Sequence, residues 1–307
     1  MRRAVDRDLR ADSRVHLTRG AVAAGALAVA TLAGLALYAD LGRLVDTLAG
    51  FEWPLFPLAL ALTSVNYAGR FWRWEIYRRR VGIDVPIRRS ASIFLAGLVG
   101  TITPAKAGEV LKSWLLRRSF AVPIRRSAPI VVAERITDAL GVVLLAAAAG
   151  AGRASAWPLL AAAVVAAAAV GVLLRSPLLD RFERLAGVRE VGRLLMRPGL
   201  FAAATLLSAA SWFCECLAAY VVVRGLGLDG VSLADTVLVF SVGSLVGAAS
   251  FLPGGLGVAE TSMTGLFRVV SDVSAGGAAA ATVLIRLATL WYAVALGSLF
   301  LALERRR

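Results

Sequence analysis

Residues Ser90 to Arg118 read SASIFLAGLVGTITPAKAGEVLKSWLLRR. The stretch opens with an apolar run of 14 residues, meets Pro104, and continues as a helical segment that ends in two arginines. A membrane span needs about 20 apolar residues, so neither half can cross alone. Arg78, Arg79, Arg80, Arg88 and Arg89 precede it, and Arg117, Arg118, Arg125 and Arg126 follow it. Basic residues stay on the cytoplasmic face, which puts both ends on one side of the bilayer. The reading is a re-entrant helical hairpin over about 90–118, with its tip at Thr103, Pro104 and Ala105.

A second broken segment covers about 233–270 and is interrupted at FLPGGLG, residues 251–257. Its flanks carry Asp229 and Asp235 before and Arg268 and Asp272 after, which places them outside. Around these two hairpins lie six apolar runs that can cross fully, at about 20–38, 54–77, 127–150, 156–174, 198–223 and 277–302. The expected fold is all-α and integral to the membrane: a single domain over 1–307, with six full spans plus two re-entrant hairpins. Asp40, Asp46 and Glu52 then fall outside, while Arg175 to Arg197 and the terminal Glu304-Arg-Arg-Arg fall inside. Both termini face the cytoplasm of a prokaryotic-type cell membrane. A chain crossing fully at both broken segments also keeps its termini inside, yet it puts the arginines of 117–126 and 175–197 outside.

Composition agrees with a membrane protein. Hydrophobic residues make up 59% of the 307, and mean hydropathy is +0.75, against roughly 45–50% apolar content in soluble domains. The net charge of +14 would suggest nucleic acid in a soluble protein, but here the arginines sit at the ends of apolar runs. Their expected partners are anionic headgroups, at about 1 kcal/mol per basic residue near the surface, and no nucleic acid. Cys214 and Cys216 diverge on one helical run and serve as packing residues, and the single histidine, His16, precedes the first span. No metal or cofactor is expected. The run from Gly20 to Tyr38 exceeds the 7–15 residues of a signal-peptide core, so it reads as an uncleaved first span.

The two broken segments match each other. TPAKAGE at 103–109 reappears as LPGGLGVAE at 252–260, so Pro104 pairs with Pro253 and Gly108 with Gly257, each 149 residues apart. IVVAERITDALG at 130–141 parallels TVLIRLATLWYA at 282–293, so Arg135 pairs with Arg286 at a separation of 151. The unit is span, span, hairpin, span, used first over 20–150 and again over 156–302. The first copy starts inside and the second outside, so the copies are inverted. Inverted repeats with broken segments at corresponding places point to an alternating-access transporter whose site lies near the midplane.

Charges inside apolar runs cost about 2.5–3.5 kcal/mol each and require partners or a water-filled cavity. Glu134 and Asp138 lie four apart on one helix face with Arg135 beside them. Counted from Arg126, Asp138 lies about 18 Å along its helix, near the midplane. One reading is a salt bridge that fixes packing. The other is a polar cavity in which Arg135 and Arg286, one from each copy, bind an anionic headgroup through the planar guanidinium fork. Lys106, Glu109 and Lys112 follow the first tip and Glu260 follows the second, where helix starts expose unpaired amides to anions. Gly254, Gly255 and Gly257 permit close backbone approach. Arg70, Arg73, Glu75 and Arg78 read mostly as an interfacial belt with Trp72, Trp74 and Tyr77, with Arg70 the deepest and the one to reach the cavity. Glu215 is either a packing partner or a cavity residue.

TPAKAGEVLKSWLLRR, AERITDALG, FLPGGLGVAE and LIRLATLWYAVALG, taken in this order, resemble the lysylphosphatidylglycerol synthase transmembrane region family, also described as flippase-like membrane proteins. The resemblance implies movement of a lipid or lipid-linked anion between leaflets, with roles for Pro104, Gly108, Glu109, Glu134, Arg135, Asp138, Pro253, Gly254, Gly255, Gly257, Glu260 and Arg286. Some members carry a soluble aminoacyltransferase domain. That domain has no counterpart in this sequence, so no enzymatic activity is expected. A lipid translocase for membrane phospholipids or lipid-linked anions is the leading expectation. An ion-coupled carrier of a small solute using Glu134 or Asp138, and a membrane-embedded lipid transferase, are the alternatives.

Overall fold

A computed structural model describes residues 41–103, 108–151 and 186–306. The described residues form helices joined by turns, with no strand among them. In chain order the α-helices are α1 (Leu41–Ala49), α2 (Phe56–Arg80), α3 (Ile87–Gly97), α4 (Leu111–Phe120), α5 (Ile124–Ala149), α6 (Ala186–Leu195), α7 (Pro198–Gly225), α8 (Leu233–Ala249), α9 (Val258–Ser271), α10 (Ala275–Arg286) and α11 (Tyr292–Arg305). The expected spans 54–77, 127–150, 198–223 and 277–302 correspond to α2, α5, α7 and the joined α10–α11. The expected spans 20–38 and 156–174 lie outside the described residues, as do Pro104 and Lys106 at the first tip.

Prolines and caps set the boundaries. Pro54 precedes α2, Pro86 and Pro123 precede α3 and α5, and Pro198 opens α7, positions where a missing N–H costs nothing. Ser232 caps α8 by accepting from the Asp235 amide, with Asp235 returning the bond. At 25, 26 and 28 residues, α2, α5 and α7 are each about 38–42 Å long at 1.5 Å per residue, enough to cross. Among the described residues two helices are long and contain an apolar stretch of membrane-spanning length, Pro198–Gly225 and the continuous 275–304 rod. A π-helical turn at Leu287–Trp291 joins α10 to α11 within that rod.

The broken segments fold as paired short helices. α3 runs into a 3-10 turn at Leu98–Ile102 and α4 returns alongside it, with Gly97 against Lys112 and Gly100 against Gly108. α8 and α9 pair likewise, with Gly243 against Met263 and Gly247 against Gly255. In each pair two glycines eight residues apart bring backbone onto backbone: a Cβ on Gly100 would stand 2.3 Å from the Gly108 carbonyl carbon, and one on Gly255 would stand 3.0 Å from Gly247. The two tips then meet, with Gly254 against Ile102 and Leu256 packed with Leu290 and Ile102.

Two apolar clusters divide the bundle. One gathers Ala59, Val142, Trp212, Val222 and Phe240, and the other gathers Trp74, Phe94, Leu116, Ile136 and Ala204. The border on α5 falls between Ile136 and Val142, at Asp138, and on α7 between Ala204 and Trp212, at Ser208. Asp138 and Ser208, hydrogen-bonded to each other, lie there.

Gly297 lets α11 lie on the first tip, because a Cβ there would stand 2.3 Å from the Val99 amide nitrogen. Gly297→Ala is therefore expected to destabilise the protein by about 1–3 kcal/mol. Gly265→Ala on α9, which meets nothing within 4 Å, is expected to be neutral or to stabilise by about 0.5–1 kcal/mol. Thermal unfolding in detergent micelles of the two variants side by side checks both signs.

Candidate functional site

Asp138 on α5 is the centre of a buried network. Its Oδ1 accepts from Arg73 Nη1 at 2.6 Å and from Ser208 Oγ at 2.7 Å. Its Oδ2 accepts from Arg135 Nη2 at 2.7 Å, with Arg70 Nη2 at 3.9 Å. Glu109, just before α4, lies 3.0 Å from Arg135 Nη2, 3.6 Å from Arg70 Nη2 and 3.7 Å from Lys112 Nζ. Lys112 donates to Glu134 Oε2 at 2.6 Å and lies over the rings of Trp74 and Phe94 at 4.8 and 5.2 Å. Arg70, Arg73, Arg135 and Lys112 thus interleave with Glu109, Glu134 and Asp138 in one layer.

A smaller second group lies at the other tip. Arg286 Nε donates to Glu260 Oε1 at 2.5 Å and its Nη2 to the Gly254 carbonyl at 2.6 Å. Glu260 Oε2 accepts from the Gly257 amide at 2.7 Å, and Gly257 holds φ at +84° ahead of α9, a conformation suited to glycine. The pairs Glu109–Arg135 and Glu260–Arg286 are the same contact 151 residues apart. At that same offset Lys112, Glu134 and Asp138 correspond to Met263, Ile285 and Thr289. The arginine–glutamate pair occurs twice, while the rest of the charged layer has no charged counterpart at that offset.

Both groups face one cavity of about 300 Å³, bounded by α2, α5, α7, α8, the π-helical turn and the two tips. Arg70, Arg135, Asp138, Glu215 and Arg286 supply its polar wall, and Trp212, Phe240, Leu245 and Leu290 its apolar wall. Of the residues expected from sequence, Arg70, Arg135, Asp138, Arg286, Gly254 and Gly255 line it. Glu109, Glu134 and Glu260 are buried and hold the arginines and Lys112 from behind. Gly108 lies at the first tip, donating to Thr103 Oγ1 at 2.6 Å, and Pro253 opens the short 3-10 turn of the second. Glu215, left open between packing and cavity, stands on the cavity wall.

The interfacial belt expected at the end of α2 needs correction. Trp72 is 57% exposed and fits a belt, but Arg70, Arg73, Glu75 and Arg78 are all buried. Arg73 is tied to Asp138, and Glu75 accepts from Arg78 at 2.6 Å and from Ser90. The buried positions Thr63, Asn66, Tyr67, Arg70, Arg73, Trp74 and Tyr77 recur at spacings of three and four, the signature of one inward helix face. Tyr67 on that face donates to the Thr289 carbonyl at 2.9 Å, inside the π-helical turn. Arg73, Ser208, Tyr67 and Trp212 are site residues that sequence reasoning missed.

The difference between the residues around the two arginine–glutamate pairs yields a stability test. Lys112→Met alone leaves Glu134, 1% exposed, without its cation and is expected to cost about 3 kcal/mol. Adding Glu134→Ile writes the apolar pair found at Met263 and Ile285 into these positions and is expected to restore stability to within about 1 kcal/mol of the parent. Denaturant titration of the single and double variants in micelles checks the contrast.

The sequence pattern of the lysylphosphatidylglycerol synthase transmembrane region matches residues 22–297. Among curated proteins, a UPF0104 membrane protein of Methanothermobacter thermautotrophicus is 26% identical over an alignment covering 88% of this chain and 91% of that protein. A protein of the same description from that archaeon is 39% identical over 95 residues, covering 31% of this chain and 28% of its own length. Glycosyltransferase AglD of Haloferax volcanii is 26% identical across 84% of this chain, which spans half the length of that relative. With helices long enough to cross and a pattern match along most of its length, the chain is a multi-pass membrane protein belonging to the lysylphosphatidylglycerol synthase transmembrane region family.

Proposed function

We propose that this protein is a lipid translocase that moves an anionic phospholipid or lipid-linked anion between leaflets, as a transporter and not as an enzyme. The headgroup enters the cavity at the meeting of the two tips while its acyl chains remain in the bilayer. The observation that carries this reading is the duplicated pair: Glu109–Arg135 and Glu260–Arg286 recur 151 residues apart, and both arginines face the same cavity. A guanidinium can present two parallel donors to phosphate, and the apolar half of the wall suits an amphiphile. At about 300 Å³ the space fits a headgroup and little more.

On this reading the two copies are inverted repeats, six spans and two hairpins in all, with both termini in the cytoplasm. The tips open alternately to the two faces, which is how a broken-helix repeat exposes a midplane site to either side. The family description supports a lipid-related role, and the glycosyltransferase name of a relative keeps lipid-linked sugars within the substrate class.

Headgroup accessibility of a labelled anionic phospholipid in reconstituted vesicles tests the proposal. The parent is expected to accelerate exchange between leaflets, and Arg135→Ala and Arg286→Ala to reduce the rate at least tenfold with the fold retained by thermal unfolding. Equal rates for all three would remove the role of these arginines.

A further inference from the structure

Arg135 and Arg286 are both engaged. Arg135 holds Asp138 at 2.7 Å and Glu109 at 3.0 Å, and Arg286 holds Glu260 and the Gly254 carbonyl at 2.5 and 2.6 Å. An anion reaching either must displace an internal oxygen. Arg70 differs. Its guanidinium lines the cavity at 5% exposure, and its carboxylate neighbours Glu109 and Asp138 stand at 3.6 and 3.9 Å, beyond hydrogen-bond length. Its Nε is buried with no partner, and among the described residues the side chain donates no hydrogen bond. It packs over the Trp212 ring at 5.8 Å, and Trp212 lines the same cavity. A guanidinium against an aromatic ring is held by its flat face and keeps its edge for donation. Glu215 shares the cavity wall with it, yet a permanently charged group with five donors, held by ion pairs longer than a hydrogen bond, is the arginine whose donors an incoming anion can take with the fewest internal bonds to break.

We propose that Arg70, lying over the Trp212 ring, is the primary docking point for a phosphoryl group, a role that rests on the translocase reading and deepens it. The phosphoryl oxygens bridge Arg70 and Arg135, which already share Glu109 and Asp138 as common partners. Glu109 and Asp138 hold the two arginines in place behind the cavity wall. Arg286 closes over the group from the second copy. The ligand chemistry is a phosphate ester or phosphate ion, and its source is decided by experiment.

Calorimetric titration of the purified full chain in micelles provides the test, with dihexanoyl phosphatidylglycerol, glycerol phosphate and inorganic phosphate as probes. Arg70→Lys keeps the charge that balances Glu109 and Asp138 but removes the planar fork and the stack. Trp212→Leu removes the ring beneath Arg70 and keeps the charge. Expected are binding of the lipid probe by the parent, at least tenfold weaker binding by Arg70→Lys, and several-fold weaker binding by Trp212→Leu, with unchanged affinity for Arg79→Lys on the exposed surface. Binding of the lipid probe alone identifies a lipid headgroup as the source, and equal binding of inorganic phosphate identifies phosphate itself; both support the docking role. Affinity within twofold of the parent in Arg70→Lys, or in Trp212→Leu should Arg70→Lys fail to fold, overturns the role of Arg70 and leaves the translocase reading intact. A parent that binds none of the three probes overturns both.

Discussion

Burial of charge at the border between two apolar clusters is the constraint on which the rest of this structure depends. Removing one partner of a buried ion pair costs about 3–5 kcal/mol, since the other charge is left without compensation. Asp138 therefore dictates its surroundings: Arg73 and Ser208 satisfy one oxygen and Arg135 the other. That demand fixes the rotation of α2, whose inward face must carry Arg70 and Arg73, and brings Ser208 of α7 against α5. Helix packing and site geometry follow from the same carboxylate.

The glycines make the arrangement reachable. Without backbone contact at Gly100–Gly108 and Gly247–Gly255, the short helices could not fold back tightly enough to place Glu109 and Glu260 beside their arginines. The left-handed turn at Gly254 directs its carbonyl to Arg286. Tip geometry and charge pairing are therefore one device, and movement of either tip alters the ion pair behind it. The π-helical turn after Arg286 adds a local irregularity where such movement can be absorbed, a feature common at functional sites.

Much of this was legible in the sequence, for physical reasons that can be named. Proline-broken runs too short to cross pointed to the paired short helices, and the 151-residue offset singled out Arg135 and Arg286, each of which the structure pairs with a glutamate the sequence did not assign to it. Arg73 was misread because FWRWEIYRRR at 71–80 has the composition of an interfacial belt. Only the three-and-four spacing back to Thr63 shows that part of it faces inward. Lys112 depends on how far the first hairpin folds back, and Phe240 and Ser244 reach the cavity only through packing of α8. Such contacts between distant segments leave no local pattern to read.

What occupies the space between Arg70, Arg135 and Arg286 decides whether this cavity is a headgroup site. An experimental structure of the protein in nanodiscs of anionic phospholipid is the most direct measurement. The predicted result is headgroup density in the cavity, with phosphoryl oxygens within hydrogen-bond distance of Arg70 and Arg135. Lipid confined to the arginine-rich surface, with the cavity closed by Glu109 and Asp138, would contradict it.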